Sequence, residues 1–255
     1  MDYNTTHPPR VISRILLQLA SIIAELFPRE AVDQITNRGR AGGAQLSGNP
    51  PVYEFRTARG LDYGEMPQHA SWDVATAWIF WNLCETISWL MANEANKYLS
   101  GKGYHAHVIR CRPKAALCII KANAAITLPN HAFVYIVPTQ GRDPCDEWIL
   151  DGTLPQFGWR LSARFQSAWS YFHNFIVLEP IRVHALTSRQ LRYQRDTINS
   201  LWYFKRAKEI MAEVLVGYPW DGTKHEQEEA TVDVLDQAWP LLRIAADEQV
   251  HGRRA

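Results

Sequence analysis

Trp81-Asn82-Leu83-Cys84-Glu85-Thr86 is the stretch whose reading decides the fold of this chain. It lies in a run from Trp72 to Leu99 that has helical character throughout and contains neither Pro nor Gly. The run is either two helices with a break near Asn82 or one helix with Cys84 inside it. The difference is chemical. A cysteine at a helix N-terminus has its thiolate stabilised by the helix dipole and by unpaired amides, and one in mid-helix does not.

Downstream, Ser100-Gly101-Lys102-Gly103 ends the helical run with C-cap chemistry. Strand patterns follow at Tyr104–Arg112, Ala115–Lys121, His131–Val137 and Glu147–Asp151, with another at Phe175–Val183, bounded by Pro, Gly or Asn. His131 opens one strand, and Asp151 closes another just before Gly152-Thr153. Each residue alone has an ordinary role: Cys84 as small apolar filler, His131 bonding a loop carbonyl, Asp151 in a turn. In combination they have the logic of a thiol nucleophile. The histidine holds the thiol proton, the carboxylate fixes its tautomer, and the backbone amide of Cys84, with the side chain of Asn82 or another upstream side chain, supplies oxyanion donors. Chemistry on an acyl group is the expectation. Trp81 and Trp148, with Trp72 and Trp78, are candidates for an apolar substrate-binding wall that restricts water.

Upstream, residues 1–9 read as a polar, mobile lead-in. Val11, Ile12, Ile15, Leu16, Leu19, Ile22, Ile23 and Leu26 then recur at helical spacing until Pro28, a stripe for core packing. Residues 37–69 are rich in Gly, Pro and Asn and read as a long connection with at most one short strand near Val52–Phe55. Their glycines lack the following Lys-Ser or Lys-Thr of a phosphate-binding loop. Beyond residue 187, a basic helix over Ser188–Val216 and an acidic one from about Glu226, kinked at Pro240, suggest an antiparallel hairpin with cross-helix ion pairs. Residues 1–186 are therefore expected as the catalytic domain, including its N-terminal helix and long loop. Residues 187–255 are expected as a helical hairpin packed on it.

Bulk composition narrows the function. The 255 residues are 47% hydrophobic and 21% charged, ample for a core. A formal net charge of +1 gives no global field towards nucleic acid or an anionic membrane, and no apolar run is long enough to span a bilayer. The interrupted N-terminal stripe is not a secretory signal, so a cytoplasmic protein, or one exported without a cleavable signal, is expected. The four cysteines show no metal-site spacing. His105 and His107 point to one face of a strand but have no third ligand at a recognisable spacing, so neither a metal nor an organic cofactor is expected.

About residues 78–154, through Trp81-Asn82-Leu83-Cys84, Gly103-Tyr104-His105-Ala106-His107-Val108, Asn130-His131-Ala132-Phe133-Val134 and Trp148-Ile149-Leu150-Asp151-Gly152-Thr153, the chain resembles the papain-like superfamily. Within it, the transglutaminase-core and bacterial glutamine-deamidase toxin branches are most similar, because His131 follows Cys84 by 47 positions and Asp151 follows His131 by 20. The Gly or Gln often found just before the nucleophile is replaced by Asn82 and Leu83. The resemblance implies an α+β papain-like or transglutaminase-like core, a helix bearing Cys84 against an antiparallel sheet bearing His131 and Asp151. It implies Cys84 as nucleophile, His131 as general base and acid, and Asp151 as orienting carboxylate. The reaction expected is deamidation or transamidation of a protein glutamine. A cysteine protease, a small-molecule acyl or amide transferase of a biosynthetic pathway, and a non-catalytic helical interaction module are the alternatives.

Overall fold

Pro8 and Pro9 begin the first helix rather than preceding it. In the computed structural model, which describes residues 7–40, 49–58, 65–126, 130–140, 144–177 and 184–252, α1 runs Pro8–Leu26. Proline is compatible with a first helical turn, where the missing N–H has no intrahelical partner to lose. The lead-in expected over 1–9 is thus corrected at 7–9, and residues 1–6 lie outside the described residues. The helical stripe faces inward: Ile12, Ile15, Leu16, Leu19 and Ile23 are all buried.

The remaining elements follow in chain order: β1 (Val32–Arg40), β2 (Pro51–Thr57), α2 (Trp72–Phe80), α3 (Cys84–Leu99), β3 (Tyr104–Cys111), β4 (Cys118–Lys121), β5 (His131–Pro138), β6 (Trp148–Leu150), β7 (Phe165–Ser167), α4 (Ala168–Phe175), β8 (His184–Ala185), α5 (Ser188–Ser200), α6 (Trp202–Val214) and α7 (Lys224–Gly252). The protein is α+β. A three-stranded sheet has the order β1-β2-β4, with β2 and β4 parallel, and a five-stranded antiparallel sheet has the order β7-β6-β5-β3-β8.

α3 lies on the larger sheet and is fastened to it by polar side chains. Ser88 Oγ donates to Ala132 O at 3.0 Å. Asn96 takes both backbone groups of Ala106, accepting from its N–H at 2.8 Å and donating to its carbonyl at 2.9 Å. These bonds satisfy part of β3 beyond the reach of the two-residue β8, where an unpaired edge would otherwise be left. A large apolar cluster draws on α1, α3, one face of β3, β5 and β6, and the inner faces of α6 and α7. Residues from both sides of position 187 therefore share it. On the opposite face of the sheet, Ile109, Phe133 and Ile149 pack against Tyr171 and Phe175 of α4.

Four expectations change. The helix over Ser188–Val216 is two helices, because Leu201 is extended at φ −100°, ψ 109°. The strand over Phe175–Val183 is instead the end of α4 followed by an isolated bridge from Ile176 to Pro113; positions 178–183 lie outside the described residues. Two strands occupy the region read as connection, β1 reaching Arg40 and β2 covering Pro51–Thr57, while 41–48 and 59–64 lie outside the described residues. Finally, the ion pairs of α6 and α7 among the described residues are intrahelical: Arg206–Glu209, Lys224–Glu228, His225–Glu229 and Arg243–Asp247. Hydrogen bonds from Trp202 Nε1 to Glu248 (2.9 Å) and from Tyr203 N to Gln249 (2.7 Å) tie this region together instead. No helix among the described residues is long and apolar enough to cross a membrane.

Candidate active site

The two-helix arrangement is the one adopted around Cys84. α2 ends at Phe80, and Asn82 takes a left-handed conformation at φ 60°. Asparagine tolerates that region better than most side chains. The reversal lets the chain start a new helix at once, with Cys84 as its first residue. Ile87 makes the first helical bond, to Leu83 O at 2.9 Å. The amides of Cys84, Glu85 and Thr86 therefore precede the ladder, and their positive ends face the thiol's end of the helix. Cys84 is 7% exposed, and its Sγ approaches Asn130 O at 3.9 Å, beside the first residue of β5.

That first residue is His131. Its Nε2 lies 2.6 Å from Asp151 Oδ2, and both side chains are fully buried. Asp151 follows β6 directly, and its own N–H donates to Arg164 O at 2.8 Å. Its carboxylate is held by further donors: Tyr171 Oη on Oδ2 at 2.6 Å and Thr153 N on Oδ1 at 3.0 Å. A buried carboxylate so surrounded is fixed in place and orients the ring it faces. Gly152 keeps this corner tight against α3. A Cβ there would come within 2.7 Å of Ile87 Cγ2 and 2.8 Å of Met91 Cε.

With Nε2 occupied by Asp151, Nδ1 is the nitrogen left for the thiol. Burial alone lowers the imidazole's pKa, but it is outweighed by Asp151 and, after it, by a side-chain hydrogen bond with Cys84, leaving His131 raised to about 9. This is the electrostatics of a ring built to accept a proton. Cys111, directly across from His131 on β3, is held as a neutral thiol: burial, then Asp151 and Cys84, raise its pKa. Burial and Asp151 likewise hold Tyr171 as a phenol. Of the two thiols near the ring, Cys84 lines an opening.

That opening is a cleft of about 390 Å³ bordered by Asn82, Cys84, Glu85, Gln156, Tyr193 and Gln194. One wall is α5, held by a hydrogen bond from Gln194 to Glu85, which also pairs with Arg110. Glu85 is the neighbour of the nucleophile candidate, so the C-terminal helices help form the cleft.

Cys84, His131 and Asp151 are brought together, and Asn82 lies at the cleft. Trp81 and Trp148 do not lie where the sequence reading put them. Trp81 stacks on Trp78 at 5.2 Å, with Lys121 Nζ 5.5 Å from its ring. Trp148 stacks on Phe165 at 5.1 Å beneath His7 and Arg10. Neither is among the described residues that border the cleft. Large aromatics serve a core as readily as a wall, and here core packing claims both.

The sequence reading missed Gln156, Tyr171, Arg164 and the α5 wall. Gln156, on a short 3₁₀ turn after Asp151, places Nε2 3.0 Å from His131 Nδ1. Arg164 donates to Leu17 O and Ser21 Oγ, tying α1 to the segment whose carbonyl anchors Asp151. No short motif marks these residues. Only the Thr153–Gln156 spacing in a turn next to Asp151 offers a local signal.

His105 and His107 are exposed neighbours with ring centroids 4.4 Å apart. Among the described residues no group of three or more His, Cys, Asp or Glu side chains is placed to hold a metal. A scan against protein-family models and searches of curated proteins and of solved structures found nothing that matches this chain.

Proposed function

We propose that this protein is a cysteine-nucleophile acyl-transfer enzyme of papain-like or transglutaminase-like type that deamidates a protein glutamine. The observation that carries the reading is a buried Asp151–His131 pair whose second ring nitrogen faces a thiol at the first residue of a helix, open to a cleft. Cys84 Sγ attacks the carboxamide carbon after its proton passes to His131 Nδ1. The imidazolium then protonates the departing nitrogen, and ammonia leaves a thioester on Cys84. Water adds to that thioester with His131 as base, giving a carboxylate and the restored thiol.

The character of the cleft favours water as the second nucleophile. Its border is polar, with Asn82, Glu85, Gln156 and Gln194, and the tryptophans that would have made a dry wall lie elsewhere. Its volume, about 390 Å³, suits one extended side chain and a short length of backbone.

The test is alkylation of Cys84 by iodoacetamide at pH 6, read by peptide mass spectrometry. Rapid labelling is expected in the wild type, with a loss of about 100-fold or more in His131→Ala. Slow labelling that the substitution leaves unchanged in a folded protein would make Cys84 a core thiol and end the proposal. Conversion of glutamine to glutamate in added protein substrates, against incorporation of an added amine, then separates deamidation from transamidation.

A further inference from the structure

The hydrogen bonds around Asp151 fix the direction of a chain that reaches the cleft. An ionised carboxylate only accepts. Oδ2 therefore takes the proton on His131 Nε2, which leaves Nδ1 as an acceptor in the neutral ring. Oδ1 lies 3.5 Å from Thr153 Oγ1, so that hydroxyl donates towards it and presents its lone pairs elsewhere. Gln156 Nε2 is 3.4 Å from the same Oγ1 and 3.0 Å from His131 Nδ1. With the ring neutral both neighbours need a donor, which sets the amide: nitrogen towards ring and hydroxyl, oxygen away. Gln156 is 4% exposed yet borders the cleft beside Cys84.

This arrangement is compatible with only one protonation state of the ring. Once His131 takes the thiol proton, Nδ1–H and Gln156 N–H become two donors facing each other 3.0 Å apart, and their hydrogen bond is lost. The amide keeps Thr153 as partner for one hydrogen, and the other is released at the edge of the cleft. The release coincides with formation of the thiolate, the step just before a carbonyl oxygen beside Cys84 gains negative charge.

We propose that Gln156 is a catalytic residue with two alternating partners: it donates to His131 Nδ1 while the ring is neutral and to the oxyanion of the acyl-transfer intermediate while that nitrogen is protonated. The assignment rests on Cys84 being the acylated nucleophile. It gives the site an oxyanion donor downstream of the carboxylate, in addition to the amide of Cys84 and the side chain of Asn82. The other titratable groups that face the ring are Asp151, Tyr171, Arg164 and Cys111, and the proton exchanged between Cys84 and His131 is the one change between the two states of the amide.

Two reactions of the same thiol separate this role from a structural one. Iodoacetamide alkylates Cys84 by displacement at a saturated carbon and forms no oxyanion. p-Nitrophenyl acetate acylates it through a tetrahedral intermediate: the Sγ–C bond forms, the bond to p-nitrophenolate breaks, and the thiol proton is left on His131. In Gln156→Leu the p-nitrophenolate burst rate is expected to fall about 100-fold, the usual loss for one oxyanion donor. Alkylation at pH 6 should stay within about threefold of wild type, because displacement at a saturated carbon builds no oxyanion for the amide to meet. Gln156→Glu, nearly isosteric and without the N–H donor, should show the same split and decides the matter if the leucine variant does not fold. Parallel losses in both reactions, or a burst rate that stays at the wild-type level, overturn the proposal. A wild type that fails to alkylate at all overturns the reading of Cys84 itself, and the two failures are thereby distinct.

Discussion

The same three side-chain types meet at both ends of one strand pair, with different results. At one end of the β3–β5 ladder, where Cys111 pairs with His131, the imidazole, Asp151 and Tyr171 form a fully buried cluster. At the other end, roughly 24 Å away at about 3.4 Å per strand residue, Tyr104 pairs with Pro138. There His7 Nε2 lies 2.9 Å from Asp146 Oδ1 and 3.1 Å from Tyr104 Oη, which donates to Asp146 Oδ2 at 2.5 Å. The His7 and Asp146 side chains are 27% and 32% exposed. This second cluster is a clamp. It fastens the residue that caps α1 to the start of β3 and to the turn before β6. Both partners use the same ring nitrogen, and Nδ1 has no hydrogen-bond partner among the described residues. A His–Asp pair is therefore not what distinguishes the candidate active site. The distinguishing features are a thiol at a helix start, an amide on the second ring nitrogen and a cleft beside them.

The sharpest way to break the comparison is to neutralise each aspartate. Asp151→Asn should lower the rate of p-nitrophenyl acetate acylation by about 10³–10⁴, because the ring loses its fixed tautomer and its counter-charge. Asp146→Asn should leave it within about twofold of wild type. Similar losses from both would show that the two clusters act as one unit.

Next in size is the dependence of stability on pH. His131 sits at about 9 in the folded protein against about 6.5 when unfolded, so folding favours the protonated ring. That contribution is complete below about pH 6.5 and is lost as the pH rises through about 9. Its size should be about 1–3 kcal/mol, read as the extra fall in urea-unfolding free energy between pH 6 and pH 9.5 relative to Asp151→Asn. Asp146→Asn should keep the wild-type slope. A slope that survives in Asp151→Asn would assign it to other groups.

The smallest contrast lies between the tyrosines. Tyr171→Phe removes a buried donor from a carboxylate and should cost about 1–3 kcal/mol in urea unfolding, whereas Tyr104→Phe, at the half-exposed clamp, should cost about 0.5–1.5 kcal/mol. Equal costs would mean that burial does not set the strength of these bonds here.

Position along the chain explains which parts of the site were legible. Cys84, His131 and Asp151 each stand at the boundary of an element, and boundaries are marked by residues with particular backbone chemistry: Asn82 before the helix, Asn130 before β5, Gly152 after β6. Tyr171 and Gln156 carry no such mark. Tyr171 belongs to an eight-residue aromatic segment, Ala168–Phe175, whose last residue was read as the start of a strand, and its helix is fixed by the Ser167 cap and by packing on Phe133. Gln156 gains its role only when the turn after Asp151 folds back beneath His131. β1 was missed because most of its side chains are exposed and polar, so it lacks the apolar alternation that announces a strand. The misplaced tryptophans show the same limit from the other side, since an aromatic residue is legible as buried but not as facing a cleft.

The burial of α1 has a consequence in time. Its inner face, Ile12, Ile15, Leu16, Leu19 and Ile23, is covered partly by α7, whose first residue is Lys224. At about 5–20 residues per second of synthesis, that cover arrives roughly 10–40 s after the helix it protects. Through that interval the part of α1 that α7 covers lies open on the nascent chain. The thiol, the ring and the carboxylate have all been made by then, but α5 follows them, so the cleft gains its second wall only late in the chain's synthesis.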